Sequence, residues 1–193
     1  GPSSMDVALN DGASRQLTFD HLIIGAGATT RMLPGVTVSQ NVVTYEEQIL
    51  DGELPGSIII GGSGAIGVEF AYVMKNFGVD VTIVEFLDRM VPTEDADISK
   101  ELAKHYKKLG VKVMLGTKVE SVEDTGSGVK VTVSPASGGD QQVLEADKFL
   151  SAIGFAARVD GYGLETTGVT VTERGVIEID DYCRTNVPNV YAI

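Results

Sequence analysis

The sequence predicts an α/β fold in which a parallel βαβαβ sheet is followed by an antiparallel β-meander. First, residues 57–85 run from an apolar segment through a glycine-rich loop and a helical pattern to a second apolar segment. Second, another helical pattern at 97–109 leads directly into an apolar segment at 111–115. Third, short alternating segments separated by connectors rich in glycine and serine follow residue 117, as expected of strands joined by tight turns.

The N-terminal region predicts short strands and a loop. Residues 5–24 predict two strands, in MDVAL and LTFDHLIIG, with an Asn-Asp-Gly turn at 10–12 between them. Residues 25–40 predict a loop with a Pro-Gly turn at 34–35. Residues 1–4 have the sequence of a protease-cleavage and cloning scar and are set apart from the fold.

The central loop has the spacing Gly-x-Gly-x-x-Gly. Gly62 allows a tight turn out of the strand, Gly64 allows a phosphate to approach the backbone, and Gly67 allows the following helix to pack closely. The helix is predicted over 65–77 and ends at Gly78. Free N–H groups at its start can hold a pyrophosphate without a basic side chain. The predicted contacts are six consecutive residues: Gly62, Ser63, Gly64, Ala65, Ile66 and Gly67.

An acidic residue ends the second apolar segment, at 79–84. Glu85 follows Gly62 at about the 20-residue spacing expected of the acid that accepts from the adenine-ribose hydroxyls. A carboxylate here repels a 2′-phosphate, so NAD is favoured over NADP. A lone Gly-x-Gly-x-x-Gly is a weak signal. With both strands, the helix and the acid in order, the segment predicts a Rossmann-like dinucleotide site.

The other helices are predicted from their ends. Thr44 to Glu47 resembles a capping box and predicts a short helix that runs to Leu50. The helix over 97–109 ends at Gly110. Its apolar positions have helical spacing: Ile98, Leu102, Tyr106 and Leu109.

The C-terminal half predicts strands. Three segments form the meander, a buried apolar strand returns to the sheet, and two short strands lie in the tail. These segments are, in the same order, 119–123, 129–133, 141–144, 148–152, 176–179 and 190–193.

Composition excludes several classes of protein. A formal charge of −12 argues against binding to nucleic acid or to an anionic membrane surface. The chain is 43% hydrophobic and 22% charged, which is ordinary for a globular domain, and it has no apolar run of membrane-spanning length. One cysteine, Cys183, excludes an intrachain disulfide and fits a reducing, cytoplasmic compartment.

Other candidate residues favour structural roles. Gly25, Ala26 and Gly27 follow an apolar strand, but no helix follows them, so alone they predict a strand exit. His21 and His105 have no catalytic pattern around them. No His, Cys, Asp or Glu grouping has metal-ligand spacing, and no metal is predicted.

Five segments resemble the flavoprotein disulfide reductases, most closely the dihydrolipoamide dehydrogenase branch. They are LIIGAGATTRMLPG, VVTYEEQILDGELPGSIIIGGSGAIGVEF, NFGVDVTIVEFLDRMVP, KKLGVKVMLGTKVESV and AIGFAARVDGYGLE, and the ending TNVPNVYAI resembles the start of the second flavin motif. The resemblance implies the FAD/NAD(P)-binding fold. It implies an NAD domain at 41–155, between a flank of the FAD domain at 5–40 and a return segment at 156–193.

The same resemblance assigns further contacts. Val119 would meet NAD near the adenine, Gly154 would meet it near the nicotinamide, and Glu69 would lie where nicotinamide meets flavin. Gly25, Ala26 and Gly27 would face FAD in the full-length enzyme. Here they replace the more usual Ala-Thr-Gly, and Ala157 replaces a common proline.

In the implied reaction, dihydrolipoamide reduces a disulfide, the dithiol reduces FAD, and hydride passes to NAD⁺. The redox cysteines and the catalytic histidine of the family are expected outside this chain, so the fragment has no catalytic residue of its own. The implied partners are a second subunit and the dihydrolipoamide-bearing acyltransferase of a 2-oxo acid dehydrogenase complex. Alternatives are another disulfide reductase, a transhydrogenase, or a stand-alone dinucleotide-binding module without chemistry.

Overall fold

A computed structural model describes residues 3–193 and divides the chain into two compact units. One unit contains the residues up to Thr29 together with Phe155–Ile193, and the other contains Thr30–Gly154. Residues 1 and 2, the first half of the predicted cloning scar, lie outside the described residues, whereas Ser4 begins the first strand.

The strands of the described residues are numbered in chain order. They are β1 (Ser4–Ala8), β2 (Ser14–Thr18), β3 (Leu22–Ile24), β4 (Ala28–Thr30), β5 (Val42–Val43), β6 (Ser57–Gly61), β7 (Asp80–Val84), β8 (Lys112–Met114), β9 (Thr117–Asp124), β10 (Val129–Pro135), β11 (Gln142–Ala146), β12 (Lys148–Ser151), β13 (Phe155–Ala157) and β14 (Val190–Ala192). The α-helices are α1 (Tyr45–Leu50), α2 (Ala65–Asn76) and α3 (Ala96–Leu109), and Leu164–Thr166 forms a 3₁₀ turn.

The unit at residues 30–154 is built on a five-stranded parallel sheet. Its strand order is β5-β12-β6-β7-β8, and each neighbouring pair is parallel. Helix α2 connects β6 to β7 and α3 connects β7 to β8, which confirms the predicted βαβαβ unit. The chain continues from β6 towards β8 on one side, while β12 lies on the other side of β6. The sheet therefore has a topological switch point between β6 and β12, where α/β proteins bind ligands.

Strand β6 is buried on both faces, which explains its uninterrupted apolar sequence. Ile58 and Ile60 belong to a core shared with α2 and α3, where they join Ala71 and Met74 among others. Ile59 points into a second core, which contains the valines of β10 and Phe149 of β12. The period-two alternation of a strand thus divides three consecutive isoleucines between two cores.

The meander is present as predicted. Strands β9, β10 and β11 form a three-stranded antiparallel sheet, with an irregularity in the register between Thr132 and Val133. Its valines Val129, Val131 and Val133 are buried against the parallel sheet. Alternation of buried and exposed residues along β10 provided the sequence signal.

The other unit contains shorter sheets. Strands β1 and β2 form an antiparallel hairpin, β3 pairs in parallel with β14, and β4 pairs with β13. The single strand predicted over LTFDHLIIG is wrong, because its two halves pair with different partners and form β2 and β3. The strand predicted at 176–179 is also wrong, since only an isolated bridge joins Ile177 to Val171. The predicted loop at 25–40 contains β4.

The predicted capping box of α1 and the predicted end of α3 are confirmed, whereas α2 ends one residue earlier and α3 begins one residue earlier than predicted. At α1, Thr44 and Glu47 form both halves of the capping box. At α3, Asp95 caps the start and Gly110 ends the helix in the left-handed region with φ +87°. Ile98 is not on the buried face as its spacing predicted. It is 58% exposed, and the neighbouring Ser99 is buried instead.

Within residues 3–193, none of the helices has the length and apolar character required to cross a bilayer.

Candidate functional site

The glycine-rich loop leaves the sheet at the switch point and packs tightly against it. Gly62 has φ +102°, and a Cβ atom there would lie 2.5 Å from the carbonyl oxygen of Ala152, the residue after β12. A Cβ atom on Gly67 would lie 2.1 Å from the carbonyl oxygen of Gly62. By contrast, a Cβ atom on Gly64 would meet nothing within 4 Å. Gly62 and Gly67 are therefore required by the fold itself, while Gly64 borders open space.

The start of α2 differs from the start of the other α-helices in the described residues. Helix α1 is capped by Thr44 and α3 by Asp95, and both helices have acidic residues in the first turn. Helix α2 has Gly64 at its N-cap, with no side-chain hydrogen bond and no acid in its first turn. Its first N–H groups and the positive end of its dipole can therefore bind an external anion.

Glu85 lies beside this loop and is held by it. Its Oε2 accepts from both the backbone N–H and the hydroxyl of Ser63, each at 2.7 Å, and its Oε1 accepts from the N–H of Leu87 at 2.8 Å. Glu85 is 6% exposed and Ser63 is fully buried. The acid predicted from its spacing as a ribose ligand thus also braces the glycine-rich loop, which the sequence reasoning did not predict.

The segment after β7 also contacts the loop. The N–H of Val91 donates to the carbonyl oxygen of Ser63 at 3.0 Å. Val91 is buried and has φ +39°, which is rare for a β-branched residue and signals local backbone strain. Sequence reasoning missed Val91, because nothing in the pattern distinguishes it from an ordinary core valine. Ser63 is therefore fixed through its N–H, its hydroxyl and its carbonyl group.

Two further predicted contacts lie close in the chain to residues of this site. Val119 is in β9, whose first residue, Thr117, donates its N–H to the carbonyl oxygen of Glu85 at 2.8 Å. Gly154 follows two residues after Ala152, which packs against Gly62. Gly154 has φ +107°, and its carbonyl oxygen accepts from the N–H of Arg31 at 2.9 Å.

The remaining residues at the start of α2 face outward. Ala65 and Glu69 are exposed, and Ile66 is half-buried. The Tyr106 hydroxyl donates to the carbonyl oxygen of Val68 at 2.6 Å. Burial raises the pKa of Tyr106, and the nearby Glu69 carboxylate raises it further. Glu69 is thus an exposed residue on a helix that is anchored by the Tyr106 hydroxyl.

The second glycine cluster belongs to the unit formed by the residues up to 29 and 155–193. Gly27 has φ +77°, and its carbonyl oxygen accepts from the N–H of Arg158 at 3.0 Å. A Cβ atom on Gly25 would touch the side chain of Ile193. Ala26 and Gly27 line a mainly apolar cavity of about 230 Å³ within this unit.

The histidines and the cysteine have ordinary surroundings. His21 packs edge-on against Tyr191 with ring centroids 6.2 Å apart, and His105 lies 3.1 Å from the Glu101 carboxylate on the exposed side of α3. Cys183 is free and half-buried. Among residues 3–193, no group of His, Cys, Asp and Glu side chains is arranged to hold a metal ion.

Comparison with protein families gives a match over almost the whole chain. The pyridine nucleotide-disulphide oxidoreductase family matches residues 3–193. Dihydrolipoyl dehydrogenase of Mycobacterium tuberculosis is 60% identical over 97% of the chain, and that of Mycobacterium leprae is 55% identical over 99%. The chain spans about two fifths of the length of these curated relatives, 40% and 41% respectively.

Solved structures have the same fold. A copper(II) complex of an HOCl-induced flavoprotein disulfide reductase from Escherichia coli has a TM-score of 0.87 at 30% identity, over 100% of this chain and 42% of that one. LpdA from Mycobacterium tuberculosis has a TM-score of 0.87 at 29% identity, over 97% and 40%. A water-forming NADH oxidase from Lactobacillus brevis, bound to NADH, has a TM-score of 0.81 at 26% identity, over 99% and 42%.

Proposed function

Because the chain belongs to the pyridine nucleotide-disulphide oxidoreductase family, we propose that residues 30–154 bind NAD as the dinucleotide-binding part of a dihydrolipoyl dehydrogenase. One observation carries the proposal. Helix α2 begins without a side-chain cap or an acid in its first turn, directly beside the buried carboxylate of Glu85. An uncapped helix start suits a pyrophosphate, and a neighbouring acceptor suits a sugar hydroxyl.

Different residues of the proposed site contact different parts of the dinucleotide. The N–H groups from Gly64 to Gly67 face the pyrophosphate, and the open space at Gly64 lets a phosphate oxygen approach the backbone. Glu85 accepts a hydroxyl of the adenine ribose. Val119 lies near the adenine end of the dinucleotide and Gly154 near its nicotinamide end. Glu69 contacts the nicotinamide end as well.

The preference for NAD over NADP follows from charge. Glu85 is buried beside the loop, so a 2′-phosphate would bring like charges together where water screens them poorly. A structural neighbour that was engineered into an NADPH oxidase and is bound to NADPH, 25% identical with a TM-score of 0.80, has substitutions that remove an aspartate and introduce two arginines. Loss of a negative charge and gain of two positive charges is the change expected when a site must accept a 2′-phosphate.

The chain's share of the reaction is to hold and orient the nicotinamide. In the full-length protein, NAD⁺ would be the hydride acceptor. FAD would pass it the electrons that a disulfide takes from dihydrolipoamide. Gly25, Ala26 and Gly27 would face the flavin, since this backbone has no bulky side chain at these positions. The full-length enzyme would be a cytoplasmic homodimer that serves the lipoyl-bearing acyltransferase of a 2-oxo acid dehydrogenase complex.

Titration of the chain with NADH tests the proposal. Gly64→Val should abolish binding, because the side chain would fill the space required by the phosphate. Glu85→Ala should weaken binding, both by removing the ribose acceptor and by releasing the brace on Ser63. Gly52→Val is a matched control, because Gly52 also borders open space but lies in the loop after α1. The proposed site is wrong if Gly64→Val binds NADH as tightly as Gly52→Val.

A further inference from the structure

The acceptor capacity of Glu85 is nearly filled by the protein itself. A carboxylate offers about four acceptor sites. The N–H and the hydroxyl of Ser63 occupy two sites on Oε2, and the N–H of Leu87 occupies one on Oε1. The remaining acceptor site is therefore on Oε1. Glu85 in this arrangement has an acceptor site left on Oε1 for an external hydroxyl.

The Ser63 hydroxyl is directed at the Glu85 carboxylate. Ser63 is fully buried, so its hydroxyl has no access to bulk water, and it donates to Oε2 at 2.7 Å. Its backbone is already fixed by the bonds to Glu85 and Val91. The side chain therefore acts on the carboxylate, because it gives Oε2 a second donor and adds to the hold of the Ser63 and Leu87 N–H groups on the two oxygens.

We propose that Ser63 is a positioning residue whose hydroxyl orients the Glu85 carboxylate so that Oε1 reads the 2′-hydroxyl of the adenine ribose. This inference rests on the proposed function, because it assumes that a dinucleotide occupies the site. It goes further by assigning the recognition of one hydroxyl to a hydroxyl–carboxylate pair within the protein. A second donor on Oε2 narrows the range of orientations open to the carboxylate, and an oriented acceptor discriminates more sharply than a mobile one.

The test compares NADH with its 2′-deoxyadenosine analogue by calorimetric titration of the 193-residue chain. In the parent chain, loss of the 2′-hydroxyl should weaken binding about tenfold, as expected for a hydrogen bond to a charged acceptor. In Ser63→Ala, NADH should bind more weakly, and the ratio between the two ligands should fall to about threefold or less. Ser63→Cys has a nearly isosteric side chain with a weak donor, and its ratio should lie between those of the parent and Ser63→Ala.

Ser134→Ala is the matched control. Ser134 is also a buried serine whose hydroxyl donates at 2.7 Å to a glutamate, Glu120, but it lies in the meander. Its loss should lower stability while leaving the ratio for the two ligands at the parent value. The inference is overturned if Ser63→Ala and Ser63→Cys keep the parent ratio, or if the parent binds NADH without discriminating the 2′-hydroxyl. If the parent binds neither ligand, the proposed function itself fails.

Discussion

A Cβ atom on Gly67 would lie 2.1 Å from the carbonyl oxygen of Gly62, a separation that packed atoms do not adopt. The first turn of α2 therefore lies directly on the backbone of the loop that precedes it. The last glycine of the motif is required by the protein's own structure, with or without a ligand. Gly64 is different, because the space beside it is open. The two glycines should thus respond differently to the same substitution.

Gly67→Ala should destabilise the fold, whereas Gly64→Ala should mainly affect binding. Relief of the clash at Gly67 requires the helix or the loop to move, so we expect a loss of roughly 3 kcal/mol in the free energy of unfolding. Gly64→Ala should cost about 1 kcal/mol or less, since alanine is only a poorer N-cap residue. Urea denaturation measures both values. Equal losses for the two variants would contradict the packing described for Gly67.

Val91 should tolerate glycine better than alanine. Both substitutions remove the same buried isopropyl group, but only glycine relieves the positive φ of +39°. We expect Val91→Gly to be more stable than Val91→Ala by about 1 kcal/mol, the reverse of the usual order. Chemical denaturation measures the free energies of unfolding of the two variants. A more stable alanine variant would mean that the backbone at Val91 carries no strain.

The sequence predicted the sheet and its glycine-rich loop because their signals are local. The isoleucines of β6, the glycine spacing and the helical period of α2 each specify conformation over a few residues, and Gly78 ends the helix where its position indicates. The capping box at Thr44 was predictable for the same reason, since its two halves lie within one turn of helix.

What the sequence could not predict depends on distant partners. The hydrogen bond from the Ser63 hydroxyl to Glu85 joins residues 22 positions apart, and neither residue type alone predicts the other as its partner. The break between β2 and β3 arises because the two strands pair with different segments, one of them near the C-terminus. Ile98 fitted the helical period, yet the surface that it faces is open. A serine between two glycines was the available signal for Ser63, because a polar side chain there must find a partner once buried.

Asp124 should make the unit at residues 30–154 sensitive to acid. Its carboxylate accepts from the Ser39 hydroxyl, from the Asn41 side-chain amide at 2.9 Å and from the Gly126 N–H at 2.8 Å. These bonds, with that of Ser39 the largest cause, lower the pKa of Asp124 from 3.8 to about 2. Because the pKa is lower in the folded state, the carboxylate stabilises the fold above pH 3.8. That stabilisation is lost as the pH falls towards about 2.

The free energy of unfolding, measured between pH 5 and pH 2, tests this dependence. Asp124→Asn should be less stable than the parent at pH 5, and the difference should shrink towards pH 2, where about half of the parent's Asp124 carboxylates are protonated. Asp140→Asn is the control, because Asp140 is an exposed residue in the connector between β10 and β11. A constant difference between Asp124→Asn and the parent across this range would show that Asp124 contributes no pH dependence.

Gln48 should be replaceable by methionine with a gain in stability. Gln48 is 4% exposed on α1, which packs against β5 and β12, and its Oε1 is buried without a hydrogen-bond partner. A buried acceptor without a donor loses its hydration and gains nothing in return. Methionine has a similar shape and no such oxygen, so Gln48→Met should raise the free energy of unfolding by about 1 kcal/mol. Gln142→Met, at an exposed position in β11, should change it by less than about 0.5 kcal/mol. A loss of stability in Gln48→Met alone would mean that the amide oxygen has a partner in solution, such as a buried water molecule.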